Sequence, residues 1–234
     1  LPEANNNEKC IEDITNFYEK IAKVNKPVVS IGGDHSITGG ILQGLGKNNL
    51  SLTGGKKISF LHIDAHTDTF NQLDHFLGAK KSAAHWGSYL VENGIIDPTS
   101  SMQIGMRGNP RTLDWLQPSY DLGYNVVTMQ DFQKRGLQDV VIETLDKLGD
   151  NPIYITFDLD SMDASIAPAV SNIEPSFTGF TIEEAKSLIQ SLKNKNVIGG
   201  DVVCLMPTKD SPNNITSMLA ASIMFEIISV IAYK

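Results

Sequence analysis

ISFLHIDAHTD, residues 58–68, sets a short apolar run directly against two carboxylates and an imidazole. The run at 58–63 is too short for an ordinary helix and rich in large apolar side chains. It reads as a strand buried on both faces, the pattern of a parallel sheet. Working outward, comparable runs occur at 27–31 (PVVSI), 102–104, 125–128, 153–157 (IYITF) and 197–205. Helical patterns lie between them. Residues 7–24 place Ile11, Ile14, Phe17, Tyr18 and Ile21 on one face at spacings of three and four. Residues 181–192 open with T-I-E-E, an N-cap followed by first-turn acids. Residues 211–231 read as a loop and a long closing helix. The alternation predicts an α/β protein: a three-layer α/β/α sandwich with a mostly parallel central sheet. No repeat, linker or low-complexity tract divides residues 1–234, so a single domain is expected.

Composition narrows the function classes. With 234 residues, 41% hydrophobic and 20% charged, the chain can bury a core without disulfides. A formal net charge of −8 argues against nucleic acid or an anionic membrane as partner. The two cysteines, Cys10 and Cys204, make neither a disulfide framework nor a thiolate metal site, which fits a reducing, cytoplasmic setting. The apolar stretch 219–232 is interrupted by Glu226 and falls short of the roughly 20 residues a span requires. Because the sequence starts at Leu1 rather than Met, an upstream N-terminal segment is expected.

Polar residues that carry chemistry follow the strands. Gly32-Gly33-Asp34-His35 comes after the first, Asp64-Ala65-His66-Thr67-Asp68 after the second, and Asp158-Leu159-Asp160 after 153–157. In a doubly wound sheet these strand ends share one edge, where ligands bind. Alternation along an extended chain predicts that Asp64, His66 and Asp68 aim three groups at one place, as do Asp158 and Asp160. Imidazoles with four carboxylates form a hard, oxygen-rich donor set. It favours two divalent ions, Mn²⁺ first, with Ni²⁺, Co²⁺ or Fe²⁺ as alternatives. The predicted ligands are His35, Asp64, His66, Asp68, Asp158 and Asp160. His62, inside the strand, reads as a hydrogen-bonded core residue rather than a ligand. Neither Gly32-Gly33 nor Gly39-Gly40 has the spacing of a nucleotide-binding loop.

These motifs, with Thr156-Phe157 before Asp158 and Asp163 and Ala167-Pro168 after it, resemble the ureohydrolase family of arginases, agmatinases and related guanidino-compound hydrolases. Gln103-Ile104-Gly105-Met106-Arg107-Gly108 is similar to the agmatinase-like branch. The resemblance implies a trimer or hexamer and a metal pair. His35, Asp64, Asp68 and Asp158 would surround one ion, and Asp64, His66, Asp158 and Asp160 the other. It also implies hydrolysis of a guanidino C–N bond, with Asp68 accepting a proton and His85 as proton shuttle; His75 is the lesser candidate.

Four departures bear on the substrate. Cys204 stands where the family's C-terminal Glu binds the guanidinium. Glu174 lies in a changed loop, either as a replacement charge or as a solvated acid. Trp86 follows His85, either narrowing the pocket or packing on the sheet. The family's early strand is absent from the sequence. Together they point to a compact guanidino compound such as free guanidine. Agmatine and guanidinobutyrate are alternatives, the latter with Arg107 or Arg111 as carboxylate partner. Rival readings are a silent partner subunit of a hetero-oligomer and a deacetylase-like amidohydrolase.

Overall fold

Among the described residues six strands pair side by side into one sheet, and every pairing of these strands is parallel. The computed structural model describes residues 7–48, 50–71, 79–108, 112–174 and 178–233. In chain order the elements begin α1 (Asn7–Ala22), β1 (Val28–Ile31), α2 (Ser36–Asn48), α3 (Leu50–Thr53), β2 (Ser59–Ile63), α4 (Trp86–Glu92) and β3 (Met102–Met106). They continue with α5 (Gln117–Leu122), β4 (Asn125–Thr128), α6 (Met129–Arg135), α7 (Leu137–Leu148), β5 (Ile153–Asp158), α8 (Ile182–Gln190), β6 (Val197–Val203) and α9 (Ile215–Ala232). The strand order is β1-β6-β5-β2-β3-β4.

Every residue of β2, β3, β5 and β6 is buried, as expected for strands covered on both faces. Two cores result. Phe60, Tyr154 and Ile198 pack with Ile41, Leu42, Trp86 and Leu90 on the side of α2 and α4. Leu61, Ile155, Phe157 and Val202 pack with Val140, Leu188, Ala220 and Ile223 on the side of α7, α8 and α9. This is the expected three-layer α/β/α sandwich.

Local signals act as read at α8, where Thr181 and Glu184 form a reciprocal capping box. At the C-terminus the reading needs correction. The closing helix runs through 18 residues with a mean hydropathy of 2.0, long and apolar enough by length and composition to cross a membrane. Leu219, Ala220, Ile223, Ile227 and Val230 nevertheless form one face of it that is buried in the core. Its first turn is held by Asp210, whose carboxylate accepts from the backbone N–H groups of Thr216 and Ser217.

Candidate metal centre

The loops that leave β1, β2 and β5 curl by the same device. Asp34 Oδ1 accepts from Ser36 N at 2.7 Å, Asp64 Oδ1 from His66 N at 2.7 Å, and Asp158 Oδ1 from Asp160 N at 2.8 Å. In each case an Asp caps the N–H two residues on, forming a tight Asx turn. The expected strand alternation therefore does not create the convergence. Strand β2 ends at Ile63, and Asp68 has a left-handed backbone with φ of 53°. One oxygen of Asp64 and one of Asp158 make the turn, and the other faces inward.

Those inner oxygens meet at His35. Its Nδ1 lies 2.8 Å from Asp64 Oδ2, 3.1 Å from Asp68 Oδ2 and 3.2 Å from Asp158 Oδ2. A second group forms beside it, with His66 Nδ1 3.2 Å from Asp160 Oδ2 and 3.4 Å from Asp64 Oδ1. All six predicted ligands thus come together, with Asp64 common to both groups. Of the predicted ligands His66 is the most open to solvent, its side chain 25% exposed against 1% for His35 and 0% for Asp64.

The donor set suits cations. His35 Nδ1 is buried and has no well-aligned hydrogen bond, although three carboxylate oxygens surround it. Burial depresses the His35 pKa, but the Asp158, Asp64 and Asp68 carboxylates outweigh it and hold it well above the ordinary value. His66 is likewise raised by Asp160, Asp64 and Glu174 against burial. Burial, with Asp158 close by, pushes the Asp160 carboxyl up, whereas neighbouring histidines hold Asp64 down against its own burial. Protons here compensate a concentration of negative charge that divalent ions are suited to neutralise. Two groups of side chains stand close enough to hold an ion, His35, His62, Asp64 and Asp68 in one and Asp64, His66 and Asp160 in the other; the first includes His62, which is not among the predicted ligands.

Flanking residues fix this arrangement. His62 is fully buried; Gln103 Nε2 donates to its Nδ1 at 3.1 Å, so its Nε2–H donates to Asp64 Oδ2 at 2.7 Å. It is hydrogen-bonded as read, and it orients Asp64 besides filling the core. Trp86 is also fully buried and donates from Nε1 to Asp68 Oδ2 at 2.8 Å. Its ring lies against His35, His62 and Phe60 with centroids 4.9–5.5 Å away. Of the two readings of Trp86, the structure gives packing against the sheet, because these neighbours occupy the indole's surroundings. Gly87 allows this approach, since a Cβ there would lie 2.9 Å from the Asp68 carbonyl oxygen.

The other site residues fall as follows. Glu174 is buried, with Oε1 2.7 Å from His66 Nε2, so it is not a solvated loop acid. Cys204 is buried at φ of 65°, and burial together with Asp158 and Asp160 holds its thiol well above the usual range. His85 is buried and its Nδ1 pairs with Ser82 Oγ at 2.8 Å. Arg107 donates to the carbonyl oxygens of Asp160, Ser161 and Met162, bracing the Asp158–Asp160 loop rather than offering a carboxylate clamp. His75 and Arg111 lie outside the described residues.

A cluster of carboxylates and imidazoles suited to metal ions stands at the C-terminal edge of the parallel sheet in a protein of the three-layer α/β/α class. The profile of the arginase family matches residues 2–229, and the chain belongs to that family. It is 34% identical over 215 residues to the human mitochondrial guanidino acid hydrolase, covering 92% of this chain and 58% of that protein. To the mitochondrial agmatinase of Gallus gallus it is 32% identical over 218 residues, covering 93% and 61%. The proclavaminate amidino hydrolase of Streptomyces clavuligerus superposes with a TM-score of 0.84 at 27% identity, covering 95% of this chain and 70% of that one. The chain therefore spans about three fifths of the two curated relatives and sits in the agmatinase-like branch.

Proposed function

We propose that this chain carries the catalytic centre of a hydrolase that breaks a guanidino C–N bond and releases urea. The substrate is a small guanidino compound, free guanidine first. The observation that carries the reading is the convergence of three carboxylates on the buried His35 Nδ1 beside the Asp64, His66 and Asp160 group. His35, Asp64, Asp68 and Asp158 would hold one divalent ion and Asp64, His66, Asp158 and Asp160 the other, with Mn²⁺ preferred and Ni²⁺ the alternative. When bound, such a pair supplies a Lewis acid and lowers the pKa of water.

The chain's own groups do the rest. Asp68, held by Trp86 Nε1, accepts the proton of the attacking water. The water oxygen bonds to the guanidinium carbon, and one C–N bond breaks. His85, oriented by Ser82, delivers a proton to the departing nitrogen. Guanidinium and water thereby give urea and ammonium.

Cys204 supports a compact substrate. A neutral buried thiol cannot form the bidentate pair that a carboxylate gives a guanidinium. Glu174, tied to His66, and Arg107, tied to three carbonyls, support neither a distant cation anchor nor a carboxylate clamp. A guanidino acid is the second reading, favoured by the likeness to the human guanidino acid hydrolase. The proposal includes a homo-oligomer in the cytoplasm, where two free cysteines remain reduced. Urea release from guanidine, agmatine, guanidinobutyrate and arginine by the Mn²⁺- and Ni²⁺-loaded protein tests it. Guanidine should turn over fastest; metal-loaded protein releasing no urea from any of the four refutes the reading.

A further inference from the structure

One register step beneath the candidate ligands, a row of polar side chains crosses five strands of the sheet. The Cα pairings Ser30–Asp201, Asp201–Thr156, Thr156–His62 and His62–Gln103 run without a break through β1, β6, β5, β2 and β3. Thr156 stands two residues before Asp158, and His62 two before Asp64. Asp201 is the carboxyl group in this row and is fully buried. Its Oδ1 accepts from Thr156 Oγ1 at 2.6 Å, and its Oδ2 accepts from Thr38 Oγ1 and Tyr154 OH, each at 2.9 Å.

This bonding fixes a direction for each proton. The Thr156 hydroxyl gives its only proton to Asp201, so towards His35 it can act only as an acceptor. His35 Nε2, 2.8 Å away, must therefore keep its proton and donate it to Thr156 Oγ1. When a cation displaces the proton that Nδ1 holds among Asp64, Asp68 and Asp158, the lone pair is left on that atom. We propose that Asp201, acting through Thr156, is a positioning residue that holds His35 in the Nδ1-coordinating tautomer and so sets the affinity of the first cation site. The relay rests on the metal-centre reading above. A committed acceptor at Nε2 favours ligation through Nδ1, and Asp201 is what commits it.

The test is Mn²⁺ binding to chelator-treated protein by titration calorimetry, with no turnover measured. Thr156→Val keeps the side-chain shape but removes the acceptor; it should raise the dissociation constant of one ion by about 10–100-fold. Thr156→Ser should bind as the parent does. Asp201→Asn should weaken binding in the same sense, and should add nothing in the Thr156→Val background. Parent-like Mn²⁺ binding by Thr156→Val overturns the proposal, as does a further loss when Asp201→Asn is added to it. If Asp201→Asn fails to fold, the Val and Ser pair at Thr156 still decides. A parent protein that binds two Mn²⁺ tightly but releases no urea refutes the proposed activity and leaves the relay standing; a parent that binds no Mn²⁺ refutes the relay.

Discussion

Replacing Trp86 with Phe separates a structural indole from a substrate-contacting one. In the folded chain Trp86 is fully buried, and its Nε1 donates to Asp68 Oδ2 at 2.8 Å. Phe leaves a void of roughly 40 Å³, which at about 24 cal/mol per Å³ costs about 1 kcal/mol. Losing a hydrogen bond to a charged acceptor costs about 1.5–3 kcal/mol more. The sum, about 2.5–4 kcal/mol, should lower Tm by roughly 5–15 °C in a domain of this size. Chelated protein, followed by thermal melting and urea denaturation, gives that value free of bound metal. In the loaded protein the released Asp68 should lower kcat by about 10–100-fold with KM nearly unchanged. A stability loss below about 1 kcal/mol, together with KM changes that differ among guanidino substrates, would show that the indole lines the pocket and refute the packing argument.

Four further outcomes follow from the site and its supports. Gly108→Ala would place a Cβ 2.5 Å from His66 Cδ2, so it should weaken one of the two Mn²⁺ binding events in calorimetry while leaving the other close to parent. Metal affinity should rise with pH across the neutral range, because His35 and His66 hold protons above their ordinary pKa that a cation must displace; a flat profile between pH 6 and 8 would contradict this. Glu174→Gln removes the carboxylate partner of His66 Nε2 and should weaken Mn²⁺ binding by about tenfold, whereas a pure substrate contact would alter only KM. Thr181→Ala removes half of the capping box on α8 and should cost about 1 kcal/mol in denaturant titration without changing metal binding.

The sequence made the fold legible wherever a short apolar run ended in a turn-forming acid. Each of β1, β2 and β5 was readable in this way, and so was the gathering of the six candidate ligands, because ligating residue types clustered beyond strands that share an edge. The reason for their convergence was not readable. Asp64 is brought to both His66 and His35 through a turn that Asp64 itself caps, not through strand alternation. Trp86 was ambiguous because an indole beside a histidine has the same sequence whether it faces solvent or the sheet. The relay from Asp201 to His35 was hidden for a different reason. It depends on which residues of five strands stand abreast, and no local pattern states that register. A faint signal existed, since Thr156 and His62 each precede a ligand by two residues and so share its side of the strand.

The polar row has a consequence for how the chain finds its fold. Parallel strands made almost wholly of aliphatic side chains can slide past one another with little change in apolar burial. Here a one-residue slip of β5 would turn Thr156 to the opposite face, away from Asp201 and His35, and leave several buried polar groups without partners. Only one alignment of β6, β5, β2 and β3 satisfies all of them. The groups that steady the ligands therefore also serve as an alignment key for the sheet, and assembling the correct core assembles the metal centre in the same event.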